Sequence, residues 1–278
     1  VPISVVIPAH DVEDFIQEAI ESVHAQTLPV AEVIVVADAC SDKTQRIAER
    51  SGATVLVTDA RNIAAARNLG IRSASQKWIA LLDADDLWQA NKIELQWKAL
   101  ESFPESAIIS CALFTLCDGG VNKPSKSQMR EKRMNVTCPA VVTKQGTYFP
   151  EVNGSVLTWF PVPPPTALIR RDVFDIAGFF DEDLLFNEDV EFFARALKGH
   201  SLVVVEEPLV CRRLRKGSNS THTKEKWTSY ISIVDRMLRC PDEYVPNAGE
   251  EHRKLLKRLF VSHERLLVGY QGSYTSEG

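Results

Sequence analysis

The sequence lacks the glycine patterns that mark common nucleotide sites. No G-x-G-x-x-G follows a strand-like run and no G-x-x-x-x-G-K-[ST] occurs, so dinucleotide and P-loop phosphate binding lack their usual backbone. H-E-x-x-H and G-x-S-x-G are also absent, which weakens zincin and α/β-hydrolase readings. Six cysteines, at 40, 111, 117, 138, 211 and 240, form no C-x-x-C pair. In a chain of this size they read as reduced, half-buried thiols rather than a disulfide frame or a zinc site. No apolar run approaches the length of a membrane span, and no signal-peptide pattern opens the chain. Because Val1 begins directly with strand-like residues, a few initial residues are expected to have been trimmed. Basic charge is not in excess either: the formal charge is −5, which argues against nucleic acid as the main partner. Cytoplasm is the default compartment.

What is present is a chain of 278 residues with ordinary globular composition, enough for one large domain or two smaller ones. Its first half alternates two periodicities. Strand-like runs begin near 3, 32, 54, 78 and 107. Between them lie helical segments such as Asp11–Gln26, which places Phe15, Ile16, Ala19, Ile20 and Val23 on one face. This spacing leaves room for one crossover helix per strand and predicts a doubly wound, mostly parallel α/β sheet.

The centre of the chain is Trp78–Trp88, WIALLDADDLW. A short buried-strand run ends abruptly in Asp83, Asp85 and Asp86, where open α/β sheets bind ligands beyond their carboxyl ends. Three carboxylates so close repel one another, and a divalent cation relieves them; hard oxygen ligands suit magnesium or manganese. The alternative is that Asp83 or Asp85 caps the helix beginning near Gln89. Asp38, at the end of the second strand, is a further acid in the same kind of position.

Later segments read differently. From Cys117 to about Ser155 the chain is loop-like, and the basic stretch 122–133 is read as a solvated face, with contact to an anionic ligand as the alternative. Pro163–Pro165 breaks the chain before a short strand, Thr166–Ile169. In Phe179–Gly199, Asn187 is the expected N-cap, Glu188 and Asp189 occupy the first turn, and Gly199 ends the helix. Ser201–Glu206 is a strand and 210–220 a basic segment with Arg212, Arg213, Arg215 and Lys216. The remainder is helical. Around Glu250–Val268, apolar Leu255, Leu259, Phe260 and Leu266 face away from Arg253, Lys254, Lys257, Arg258 and Arg265. Such a helix covers the sheet domain or a partner; peripheral contact with an anionic membrane is the minority reading.

Four of these pieces together resemble the family 2 glycosyltransferases of GT-A fold. SVVIPAHDVEDFIQEAIESVHAQT is similar to that family's first strand and helix, and VIVVADACSDKT to its second strand. NIAAARNLGIRSASQKWIALLDADD resembles the stretch ending in the family's DxD motif, here Asp83-Ala84-Asp85. GFFDEDLLFNEDVEFFARAL resembles the segment carrying the ED pair, here Glu188-Asp189. The resemblance runs from Ile3 to about Thr221. It implies a GT-A domain over 1–221, with a nucleotide-sugar-binding half at 1–116 and an acceptor-binding half at 117–221, followed by a helical extension at 222–278.

The reaction implied is metal-assisted, inverting transfer of a sugar from a nucleoside diphosphate donor, a UDP-sugar being favoured. The acceptor would be a hydroxyl of a saccharide or lipid-linked molecule, in polysaccharide or glycoconjugate synthesis. The resemblance places Asp189 as general base beside Glu188. It implies donor contacts from Pro8, Ala9, Asp38, Arg67, Asp83 and Asp85, with Asp85 the ligand for Mg2+ or Mn2+. Arg213 and Arg215 would close over the diphosphate, a solvated loop being the equal alternative. Family members often carry a histidine after the ED helix that completes the metal shell. Cys211 to Asn219 holds none, leaving His222 as the first such residue. Competing readings are a nucleotidyltransferase, whose glycine- and lysine-rich loop is missing at Pro8–Val12, and a non-catalytic sugar-nucleotide-binding protein. On this reading the protein is cytoplasmic, peripheral contact at the inner membrane face through its C-terminal helix being the minority alternative.

Overall fold

A computed structural model describes residues 1–117, 120–122, 140–150, 152, 162–214 and 223–244. Four strands, β1 (Ile3–Ala9), β2 (Glu32–Asp38), β3 (Thr54–Thr58) and β4 (Trp78–Leu81), lie parallel in the order β3-β2-β1-β4. The helices α1 (Ile16–His24), α2 (Thr44–Arg50) and α3 (Ile63–Ser73) connect them. Short β5 (Leu87–Trp88) and α4 (Lys92–Ser102) then lead to β6 (Ile108–Cys117), β7 (Gly120–Asn122), β8 (Val141–Val142) and β9 (Thr147–Phe149). A single 3₁₀ turn, Pro164–Thr166, precedes β10 (Leu168–Arg170), α5 (Asp172–Ala177) and α6 (Glu188–Ala196). Last come β11 (Leu202–Arg213), α7 (Thr223–Arg239) and α8 (Pro241–Tyr244).

Beyond β4 the sheet continues β10-β6-β11-β9-β8 and becomes mixed. β10 is antiparallel to both β4 and β6, whereas β6 and β11 are parallel. The sheet therefore has the expected parallel core, with one antiparallel strand inserted beside it.

Side-chain alternation explains the two-layer packing. In β1, Ile3, Val5 and Ile7 join the core under α1 and α4, while Val6 turns to the opposite core under α3. β4 divides in the same way, with Trp78 and Ala80 on one face and Ile79 and Leu81 on the other. A third cluster joins Leu184 and Ala194 to Ile233, Val234 and Met237 of α7 and to Tyr244. The described part of the C-terminal extension thus shares a core with the helix that begins at Glu188. Among the described residues no helix is long and apolar enough to cross a membrane.

Several local expectations need correction. The first helix starts at Ile16, not Asp11; Asp11 has φ 44° and belongs to the turn before it. The strand expected to stop at Glu206 runs on to Arg213, because register shifts on either side of Pro208 absorb a residue that cannot donate to the ladder. The short strand after the prolines begins at Leu168, since Pro164 and Pro165 wind the chain into the 3₁₀ turn first. Asn187 does not cap its helix: it is left-handed at φ 56°, and its side-chain amide donates to Lys226 O at 2.7 Å. Gly199 lies three residues past the end of that helix, also left-handed at φ 75°.

One buried residue carries no apolar signal at all. Lys92 is fully buried, its ammonium donating to Gln96 Oε1 at 2.8 Å and lying 3.9 Å from the centre of the Trp88 ring. Burial pushes its pKa down to about 8. Gln96 in turn donates to Ile109 O and Thr166 O, so the pair ties α4 to β6 and the 3₁₀ turn.

The contact between α3 and the sheet depends on Gly70. A Cβ there would lie 2.4 Å from Val6 Cγ1 and 3.1 Å from Val36 Cγ2, inside contact distance of two stiff β-branched side chains. Gly70→Ala is expected to lose about 1–2 kcal/mol despite alanine's better helix propensity. The loss should appear as a lower urea midpoint at unchanged slope, and Val6→Ala in the same chain should recover part of it.

Candidate active site

The carboxyl ends of β1, β2 and β4 meet at one edge of the sheet. Ala9 is in register with Ala37, and Val6 with Leu81, so Pro8-Ala9, Asp38 and Asp83 come to the same level. Pro8 and Ala9 are buried there. Asp38 is buried too, and its two carboxylate oxygens accept from the backbone amides of Arg61 and Asn62 at 2.9 and 2.8 Å. Its first task is therefore to fix the entry to α3. Asn62 then caps that helix, its Oδ1 accepting from Ala65 N at 3.0 Å.

The acid-rich turn follows β4. It is closed by Asp86 N donating to Asp83 O at 3.0 Å, which leaves Asp83 and Asp85 partly exposed and Asp86 buried. One Asp86 oxygen accepts from Arg213 N at 3.0 Å, and the other has no hydrogen-bond partner. Burial, reinforced by Asp83 and Asp85, holds this carboxyl well above the usual carboxylate range. Burial raises Asp83 as well, with the Arg67 cation working against it and Asp85 adding to the rise. None of these acids caps α4, which begins at Lys92.

Arg67 joins this turn to the ED helix. It is buried on α3, donating from Nη1 to Glu188 Oε1 at 2.5 Å and from Nη2 to Asp83 Oδ1 at 3.0 Å. Its guanidinium also lies 5.4 Å from the centre of the Phe180 ring. Burial opposes the charge, but Asp83, Glu188 and Asp189 outweigh it and raise the Arg67 pKa further. Both of its terminal nitrogens are thus committed to carboxylates.

Asp189 sits beside Glu188 in the first turn of α6, accepting from Val190 N at 2.9 Å. Burial and the Glu188 charge, only partly offset by Arg67, push its pKa up to about 7. A carboxylate poised there can take a proton from a hydroxyl near neutral pH. Burial lowers the pKa of Lys226, on the first turn of α7, with Asp189 and Glu188 working against it.

Arg213 is turned elsewhere. Its guanidinium pairs with Glu18 of α1 and lies 5.5 Å from the centre of the Phe15 ring. Arg215, Lys216, His222, residues 123–133 and the helix around Glu250–Val268 lie outside the described residues. Among the described residues, the one group of three metal-type ligands with converging atoms is Asp11, Cys40 and Asp42. Its carboxylates already accept from the amides of Ser41, Asp42, Glu13 and Thr44, which makes it a turn-building cluster.

Two supporting residues carry no pattern by which sequence reading could assign them a partner. Asn68 clamps Phe180 in both directions, Nδ2 donating to Phe180 O at 2.9 Å and Oδ1 accepting from Phe180 N at 3.0 Å. Asn62 Nδ2 donates to Glu182 O at 2.8 Å. Together they hold the Gly-Phe-Phe-Asp turn that leads to Glu188.

Arg67→Met should leave Glu188 and Asp83 without their cation. The expected destabilisation is roughly 3 kcal/mol, at the lower end for a broken buried pair because Asp83 keeps solvent contact. Chemical denaturation measures this. Arg67→Lys should restore only part of it, since an ammonium cannot fork to two carboxylates at once.

Comparison with known proteins agrees with this fold. The fold matches TarS from S. aureus in complex with UDP-GlcNAc, with a TM-score of 0.68 and 19% identity, covering 95% of this chain and 72% of that one. It also matches a mannosyltransferase from Pyrobaculum calidifontis in complex with GDP-Man and Mn2+, with a TM-score of 0.68 and 16% identity, covering 100% and 76%. An uncharacterized glycosyltransferase of Rickettsia prowazekii is 24% identical over 97% of this chain and 82% of its own length. The Escherichia coli UDP-Glc:alpha-D-GlcNAc-diphosphoundecaprenol beta-1,3-glucosyltransferase WfgD is 39% identical over a shorter stretch, 34% of this chain and 39% of the relative. The family model for glycosyl transferase family 2 matches residues 4–177, more than half of the chain. With the parallel sheet, the Asp83–Asp86 turn and the Glu188-Asp189 pair in place, the chain belongs to glycosyl transferase family 2, an inverting family that uses nucleotide-sugar donors.

Proposed function

We propose that this protein transfers a sugar from a UDP-sugar to a hydroxyl of a saccharide or lipid-linked acceptor, with inversion, in glycoconjugate or polysaccharide synthesis. The observation that carries this reading is Asp189: a carboxylate raised to about 7, beside Glu188, which Arg67 links to Asp83. In the step itself Asp189 takes the acceptor hydroxyl proton as the new glycosidic C–O bond forms. The bond from the anomeric carbon to the diphosphate breaks, and its electron pair leaves with the diphosphate. The donor would lie over the sheet edge formed by Pro8, Ala9 and Asp38, with its diphosphate toward Asp83 and Asp85. Arg213 and Arg215 belong to this reading as residues that approach the diphosphate when donor is bound.

The names of relatives support the substrate class. TarS has been captured with UDP and with UDP-GlcNAc, and the name of WfgD specifies a UDP-Glc donor and a diphosphoundecaprenol-linked acceptor. An acceptor on a lipid would place the enzyme at the inner face of the membrane.

A divalent cation, magnesium or manganese, suits the donor set of the acid turn. Asp83, Asp85 and Asp86 offer hard oxygens, and one buried Asp86 oxygen lacks any partner. The resemblance of Asp83-Ala84-Asp85 to the DxD motif makes Asp85 the residue that would hold the ion. When bound, the cation neutralises charge on the leaving diphosphate. With as little as one protein ligand implied, affinity for manganese should be weak alone and rise strongly with UDP. Calorimetric titration with and without UDP checks this, and tight binding to the free protein would reveal a complete site elsewhere.

The base assignment has two readouts. Asp189→Asn should abolish turnover while donor affinity stays nearly unchanged, because the amide keeps the volume but cannot accept the proton. Near-normal turnover would sink the assignment. In the parent enzyme the base works only when ionised, so kcat/KM should rise about tenfold per pH unit below pH 7 and level off above it.

A further inference from the structure

The residue immediately before the ED pair has a backbone that an ordinary helix start does not need. Asn187 is left-handed, at φ 56° and ψ 24°, a region that costs any residue with a Cβ and asparagine less than most. Asparagine commonly stands at this point to cap the helix, yet its side chain makes no capping bond. It turns outward instead, Nδ2 donating to Lys226 O of α7 at 2.7 Å. One residue earlier, Phe186 O accepts from Ser229 Oγ at 2.5 Å. Lys226 and Ser229 are three apart and so share one face of α7. Two consecutive residues at the entry to α6 are thus held by a single face of another helix.

That helix is itself firmly seated. Ile233, Val234 and Met237 pack with Leu184 and Ala194, and Arg236 pairs with Asp181 at 2.6 Å. Tyr244 of α8 donates to Glu191 Oε1 at 3.1 Å. Asn187 also opens the ladder of α6, its carbonyl accepting from Glu191 N at 3.2 Å, so its dihedral angles set the direction in which the first turn leaves. Within that turn Glu188 has a separate anchor, Arg67 at 2.5 Å. Asp189 has none of this kind. Among the described residues its carboxylate accepts only from Val190 N, of its own turn, at 2.9 Å. Where that carboxylate points is therefore decided by how α6 begins.

We propose that Asn187 is a positioning residue for transfer: left-handed and pinned to α7 through Lys226 O, it sets the start of α6 so that the Asp189 carboxylate faces the acceptor. Ser229 assists from the same face of α7 by holding Phe186 O. A left-handed residue with a Cβ persists only where its surroundings over-determine it, and the two bonds to α7 do so here. Residues 223–244 thereby take part in the site from beyond the stretch matched by the family model, 4–177. The inference rests on Asp189 being the base.

The test follows the Asp189 carboxyl by carbon-13 NMR, assigned through Asp189→Asn, in the full chain without substrate. Burial is the main cause that raises this group to about 7, so a first turn that swings from its place admits water and lowers the midpoint. Asn187→Gly keeps the left-handed backbone accessible and removes only the amide, while Ser229→Ala removes the second bond from the α7 side. Each should lower the Asp189 midpoint by at least about half a pH unit. Ser229→Thr, which keeps the hydroxyl, should stay at the parent value. UDP release from UDP-glucose with manganese should fall roughly tenfold in kcat in the first two variants and recover in Ser229→Thr. Calorimetric UDP affinity should not change in any of them. Unmoved midpoints in both Asn187→Gly and Ser229→Ala overturn the inference. So does a loss of UDP affinity in step with the midpoint, which marks general loosening rather than a misplaced base. A parent Asp189 that titrates in the ordinary carboxylate range would instead overturn the base reading on which the inference rests.

Discussion

A single buried guanidinium holds together parts of the chain that are far apart in sequence. Arg67 reaches Asp83, 16 residues later, and Glu188, 121 residues later, from a helix that supplies neither acid. Charges taken out of water are expensive unless each is paired at close range, and here one fork serves two carboxylates. Displacing either acid would leave the others uncompensated in a poorly solvated space. The acid turn and the helix that begins at Glu188 are therefore held at a fixed separation.

The acids around Arg67 differ in how they are paired. One cation faces Asp83, Glu188 and Asp189. Two of them are hydrogen-bonded to it, and Asp189 is not. Burial pushes both Asp189 and Asp86 upward, and neighbouring acids add to the rise, Glu188 and Asp83 at Asp189, Asp83 and Asp85 at Asp86. At Asp86 the rise accompanies a structural duty, since that residue anchors the end of β11 through Arg213 N. At Asp189 it accompanies a position in the first turn of a helix.

The surrounding elements serve this arrangement in turn. α3 is the common support: Asn62, Arg67 and Asn68 project from it to Glu182, Glu188 and Phe180, and Gly70 lets it approach β1 closely enough to do so. Arg72 extends the same contact outward, 4.3 Å from the centre of the Phe179 ring and 3.7 Å from Glu182. On the other side, Arg195 pairs with Glu191 and donates to Ala177 O and Phe179 O, so α6 is fastened to the loop that precedes it.

The sequence by itself determined the strands, the faces and the acids at the strand ends. A run such as Trp78–Leu82 has only one economical place, inside a sheet with both faces covered, and its polar end must then emerge at the sheet edge. Local periodicity carries that information, and the four family-like segments carried the Asp83-Ala84-Asp85 and Glu188-Asp189 assignments. Only tertiary structure decided which groups meet. No local pattern tells Arg67 that its partners are Asp83 and Glu188, turns Arg213 to Glu18, or sends the Asn187 side chain to Lys226 O. The antiparallel β10 between β4 and β6, the passage of β11 through Pro208 and the burial of Lys92 against Trp88 are of the same kind. Periodicity reports which side of an element is dry, whereas pairing between distant side chains depends on how the finished elements pack.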